Sequence, residues 1–127
     1  MGLRADNDVA FSGQQIVKLI VVFDGLRPDM VTPELAPNLC RFMAEGVNFE
    51  NARAVFPTST RTNAAALATG STPRRNGIVQ NKYFDPNIFH DRIFRPFKAQ
   101  DIEAGMVAYN GKLLTAPSLS DIVASAG

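Results

Sequence analysis

From Ile16 to Phe23 the chain is almost continuously apolar and rich in β-branched residues, interrupted only by Lys18. A strand with one wet face would alternate apolar and polar side chains. An unbroken run marks a strand covered on both faces. Covering both faces of a sheet calls for helices on each side, so this run points to a layered α/β arrangement. It stops at Asp24-Gly25, and the Pro-punctuated "LRPDMVTPELAP" reads as a loop.

"APNLCRFMAEG" then reads as a helix. Pro37 suits its first turn, Leu39, Phe42 and Met43 share a face, and Gly46 suits its end. Val47 and Phe49 alternate with polar neighbours as a second strand. Strand, helix, strand in this order is a βαβ unit, which predicts a parallel sheet with flanking helices and a right-handed crossover. Further along, "TNAAALATG" is a short helix closed by Gly70. "STPRRNGIVQNKYFDPNIFHDRIFRP" is an irregular excursion. "TAPSLSDIVASAG" is an amphipathic helix with Leu119, Ile122 and Val123 on one side and Gly127 as its cap. A chain ending on such a helix lacks the strand that should return to the sheet. Residues 15–127 are therefore expected to be the N-terminal part of a larger α/β domain, and residues 1–14 a flexible leader.

Bulk properties narrow the function classes. With 127 residues, 46% hydrophobic and 20% charged, the chain can build a modest core. A formal net charge of +1 gives no basic face for phosphate-backbone contacts, so no nucleic-acid-binding surface is expected. No apolar run reaches the roughly 18 residues of a membrane span. The opening "MGLRADNDVAFSGQQ" lacks the apolar centre of a signal peptide, and the sequence assigns no compartment or oligomeric state. The single cysteine, Cys40, reads as helix filler, and the single histidine, His90, as a surface or packing residue.

The chemistry concentrates in "VFPTSTRTNAAALATG", residues 55–70, where four hydroxyls crowd Thr58 to Thr62 directly before the alanine-rich helix. A helix start offers free N–H groups and the positive end of the dipole, which suits a phosphate. Thr60 there could attack phosphorus, while Asn63, three residues on and one turn up, could donate to a phosphoryl oxygen. The plainer reading is that Thr60 only caps the helix. Asp24 sits beyond the end of the buried strand, where open parallel sheets bind ligands, and could hold a metal. The plainer reading there is a turn.

Taken together, "IVVFDGLRPD" and "FPTSTRTNAAALATGSTPRRNGIVQNKYFDP" resemble the type I phosphodiesterase/nucleotide pyrophosphatase family of the alkaline phosphatase superfamily. The resemblance is carried by Asp24, Gly25 and Arg27, then by Phe56, Pro57, Thr60, Asn63, Thr69, Gly70, Pro73, Gly77, Ile78 and Asn81. It implies an alkaline-phosphatase-like fold and hydrolysis of a small phosphodiester or nucleotide substrate. It also implies two divalent metal ions, usually zinc. By the same resemblance Thr60 is the nucleophile and a metal contact, Asp24 is a metal ligand, and Asn63 steadies the phosphoryl group. Ala64 and Asn76 stand where members often carry His, and the remaining Asp and His ligands come from motifs downstream.

A sulfatase would need Cys or Ser at position 60 and Arg at position 64, so Thr60 and Ala64 argue against it. A phosphomonoesterase or phosphonate hydrolase, and a noncatalytic α/β binding fragment, are the alternatives. Because Asp24 and Thr60 alone do not complete a two-metal site, the isolated 127-residue chain is expected to be catalytically silent. Measurable hydrolysis of p-nitrophenyl phosphate esters by the purified chain would overturn that expectation.

Overall fold

A computed structural model describes residues 19–126. The expected leader, residues 1–14, the first part of the expected strand and the Gly127 cap lie outside the described residues. A single 3-10 turn, Pro28–Met30, precedes five helices: α1 (Pro37–Glu45), α2 (Thr60–Thr69), α3 (Pro73–Asn76), α4 (Ala99–Ala108) and α5 (Leu119–Ala126). α2 packs against α3 and α5.

The parallel sheet is not formed among the described residues. Residues 19–23 lie outside any strand, with side chains 58–82% exposed, and Val47 and Phe49 are likewise exposed. The physical reason is that a strand is defined by its partner. Parallel pairs hold less per residue than antiparallel ones, and they persist where helices cover both faces. Neither segment finds such a partner or cover here. The described residues contain one isolated antiparallel bridge instead, between Tyr83 and Phe94. Tyr83 N–H donates to Phe94 O at 3.1 Å, and Phe94 N–H to Tyr83 O at 2.8 Å.

Three helices form where periodicity and capping place them. α1 starts with Pro37 at its first turn. Its predicted apolar face is only partly covered: Leu39 and Cys40 are half-buried, while Phe42 is exposed. α2 draws on the helix propensity of its alanines, and Gly70 closes it in the left-handed region at φ 60°, donating to Ala66 O at 2.8 Å. Ser118 and Asp121 form a reciprocal box at the start of α5. Ser118 N–H and Oγ–H both donate to Asp121 Oδ2 at 2.7 Å, and Asp121 N–H donates to Ser118 Oγ at 3.2 Å. Those two hydrogen bonds from Ser118 hold the Asp121 carboxyl below its usual range.

The supposed irregular excursion carries most of the core. Phe94 is fully buried and meets Tyr83 edge to face, with ring centroids 5.3 Å apart at 74°. Tyr83 Oη donates to Gly77 O at 3.2 Å, and burial, aided by the Asp85 charge, pushes its pKa up to about 12. Asp101 of α4 is buried beneath the excursion, where its oxygens accept from Arg92 Nη1 and Arg95 N–H, each at 2.9 Å. Burial alone would raise this carboxyl. The Arg92 and Arg95 hydrogen bonds, together with both guanidinium charges, outweigh that and hold it below the usual carboxylate range.

Gly105 lets α4 lie close on this core. A Cβ there would stand 2.8 Å from Leu113 Cδ1 and 3.4 Å from both Ile88 Cδ1 and Phe94 Cε2. In Gly105→Ala the gain in helix propensity, about 1 kcal/mol, offsets a shift of the flexible Leu113 tip, so the substitution should be near neutral. Gly105→Leu must displace Phe94 itself and should cost roughly 1–3 kcal/mol or more. Thermal denaturation of the two variants checks the contrast.

Candidate active site at the start of α2

Asp24 and Thr60 meet, although 36 residues separate them. Phe23 to Leu26 form a tight turn in which Leu26 N–H donates to Phe23 O at 3.3 Å. Gly25 occupies its third position at φ 78°, a conformation side chains disfavour. Asp24 is therefore a turn residue, as its plainer reading held, and the turn also presents its carboxylate to α2. There Thr60 Oγ1 donates to Asp24 Oδ2 at 3.3 Å, with both residues exposed.

Thr60 is not the cap. Ser59 holds the N-cap position in extended conformation (φ −128°, ψ 151°), and Thr60 is the first helical residue. The Ser59 side chain makes no cap hydrogen bond; its Oγ lies 2.7 Å from Thr62 Oγ1. Thr62 is fully buried, so one of the four crowded hydroxyls is a packing group.

Asn63 faces the other way. Its Oδ1 accepts Val55 N–H at 2.9 Å, and its Nδ2 donates to Ser59 O at 3.0 Å and Val55 O at 3.5 Å. Both ends of the carboxamide thus tie the 55–59 loop to α2. The residue that reaches the first turn of α2 instead is Asn81, whose Oδ1 accepts Arg61 N–H at 3.0 Å. Its Nδ2 makes no hydrogen bond among the described residues. Asn81 belongs to the motif noted in the sequence, but no spacing rule brings a residue 20 positions downstream onto a helix start; the tertiary path of the excursion does so. His90 is exposed and away from this cluster of contacts.

The Asp24–Thr60 pair can be tested as part of a metal site. Both donors are hard oxygens. Zinc–oxygen bonds of about 2.0–2.2 Å in a tetrahedron give a ligand-to-ligand edge of roughly 3.3–3.6 Å. The observed 3.3 Å separation fits that edge. The described residues hold no group of three His, Cys, Asp or Glu side chains able to hold an ion, so the pair by itself could supply only part of a ligand set.

Residues 18–119 match the sequence profile of the type I phosphodiesterase/nucleotide pyrophosphatase family. The chain belongs to this family. Among curated proteins, the bis(5'-adenosyl)-triphosphatase of Xenopus laevis is 43% identical over 77 residues, covering 58% of this chain and 17% of the relative. The human bis(5'-adenosyl)-triphosphatase is 39% identical over 84 residues, covering 66% of this chain and 18% of the relative. Venom phosphodiesterase 2 of Crotalus adamanteus is 31% identical over 77 residues, covering 59% and 10%. The chain thus spans less than a fifth of the length of these relatives. No solved structure matches it.

If Asn63 serves the loop, Asn63→Ala should loosen residues 55–59 and destabilise the fold by about 1 kcal/mol, since it removes the partner of the half-buried Val55 N–H. Faster amide exchange at Val55 is the expected readout; an unchanged rate there would refute the role.

Proposed function

We propose that the protein carrying this chain hydrolyses phosphodiester or pyrophosphate bonds of small nucleotide-type substrates, with Thr60 as the nucleophile. The observation that supports it most is the Thr60–Asp24 contact at 3.3 Å on the first turn of α2. Family membership adds the alkaline-phosphatase-like α/β framework, and the relatives named as triphosphatases and phosphodiesterases favour diesters and anhydrides over monoesters.

The family is generally metal-dependent, and two divalent ions, zinc as the family's usual choice, fit the proposal. Asp24 and Thr60 would hold one of them with further ligands, and the bound ion would supply positive charge that makes the hydroxyl more acidic and offsets the charge of the phosphoryl group. The chain's own residues do the rest. Asp24 Oδ2 accepts the Thr60 hydroxyl hydrogen and so fixes where the Oγ lone pairs point. Thr60 Oγ attacks phosphorus in line; the Oγ–P bond forms as the bond to the leaving oxygen breaks, and the proton lost from the Thr60 hydroxyl ends on that departing oxygen. Water then attacks the phosphothreonine, breaks the P–Oγ bond and restores the hydroxyl. The sum is one ester or anhydride bond plus one water, giving two hydroxyl-bearing products.

Asn81 takes the role of phosphoryl donor in this proposal. Its Oδ1 is anchored on Arg61 N–H beside Thr60, which leaves Nδ2 available to a non-bridging oxygen. Asn63, assigned that role on spacing and resemblance, acts through the loop it secures.

Thr60→Ala should lower turnover by about 10³-fold or more, as loss of a nucleophile does, and should abolish a mass increase on the Thr60 peptide after acid quenching. Asn81→Ala should lower kcat by about 10²–10³-fold, as loss of one oxyanion donor does. Near-normal turnover by the Thr60 variant would remove it from the nucleophile role. A larger kcat loss in Asn63→Ala than in Asn81→Ala would return the donor role to Asn63.

A further inference from the structure

Arg61 follows Thr60 directly and is anchored at both ends. Its backbone N–H is held by Asn81 Oδ1 at 3.0 Å, and its guanidinium lies 5.7 Å from the centre of the Phe97 ring. Aromatic stacking occupies the flat face of a guanidinium and leaves the N–H groups around its edge free for bidentate contact with phosphate. Other arginines are engaged by partners: Arg27 pairs with Asp29, Arg41 donates to Asn38 Oδ1 at 3.4 Å, and Arg92 pairs with buried Asp101 while lying over Phe89. Among the described residues no carboxylate lies within ion-pair distance of Arg61, and the first turn of α2 contains no acidic residue. An exposed, oriented cation without a counter-charge therefore stands one residue from the proposed nucleophile.

We propose that Arg61 determines substrate choice: its guanidinium, braced by Phe97, binds the phosphate adjoining the one under attack and so favours pyrophosphate-type substrates over simple diesters. The inference rests on the hydrolase reading above. A simple diester has no second phosphate to meet the guanidinium, so the contact separates the two substrate classes. A charge-assisted hydrogen bond at an exposed site is worth about tenfold in affinity.

The test uses the protein carrying this chain, titrated calorimetrically with inorganic pyrophosphate and with inorganic phosphate. The unsubstituted protein should prefer pyrophosphate. Arg61→Ala should lose about tenfold of that preference, and Arg61→Lys should regain part of it, because Lys keeps the charge without the fork. Arg61→Met keeps an apolar stem against Phe97 and should behave like Arg61→Ala, which separates lost charge from lost packing. In turnover, the ratio of kcat/KM for a dinucleoside polyphosphate to that for bis(p-nitrophenyl) phosphate should fall about tenfold in Arg61→Ala. An unchanged ratio and unchanged phosphate preference, or full retention of preference in Arg61→Met, would overturn the assignment. Failure of the underlying hydrolase reading would show separately, as no turnover by the unsubstituted protein, while the calorimetric preference still decides Arg61.

Discussion

A single buried carboxamide sets the course of the chain after α2. Asn76 is fully buried. Its Nδ2 donates to Ser71 O at 2.9 Å, its Oδ1 accepts Ile78 N–H at 2.9 Å, and its own carbonyl accepts Thr115 N–H at 3.1 Å. An unpaired amide at that depth costs about 1–3 kcal/mol, so the two side-chain bonds hold the carboxamide in place, and the backbone bond ties residue 115 to the same residue. They fix the exit from α2, the entry to the excursion and the approach of residue 115. Thr115 Oγ1 adds a hydrogen bond to Arg75 O at 2.6 Å.

From that junction the excursion folds back over α4. The Tyr83–Phe94 bridge closes it, Asp101 clamps its Arg92–Arg95 segment, and Tyr109 Oη donates to Asp85 Oδ2 at 2.7 Å. Asp85 acts as the acceptor of the phenol proton, and this raises the Tyr109 pKa. The consequence at α2 is local. Asn81 reaches the backbone of Arg61 and Phe97 reaches its guanidinium, so the residue beside Thr60 is held by the excursion and by the residue that follows it. A region without helical or strand periodicity thus supplies the second half of the candidate site.

What the sequence revealed follows from the range of the forces involved. α1, α2 and α5 are read from local signals, namely proline at a first turn, an alanine run with Gly70, and the Leu119, Ile122 and Val123 spacing, and all three appear at the expected places. The Ser118–Asp121 box that starts α5 is a further finding of the structure. α4 has no such signal: Lys98 stands at its N-cap and Gly105 interrupts it, yet packing on Phe94 and the hydrogen bonds its own Asp101 accepts from Arg92 and Arg95 form it anyway. The apolar runs at 19–23 and 47–49 are legible as patterns, but a ladder needs a partner that no pattern supplies. The meeting of Asp24 with Thr60 could be anticipated, because a strand end and a helix start are both recognisable. The direction of Asn63 could not: helical spacing put it one turn above Thr60, whereas the backbone N–H of Val55 and the carbonyls of Val55 and Ser59 claimed its side chain.

The bare ribbon at 19–23 ends in the turn that carries Asp24, so the acidic half of the pair hangs from a segment whose apolar side chains are uncovered. In the proposed site, cation capture and the covering of that ribbon would be thermodynamically linked. Whatever sheathes the ribbon would steady the carboxylate, and an ion bridging Asp24 to α2 would in turn favour the sheathed state. Ion affinity at that site would then gauge how well the apolar segment before Asp24 is housed.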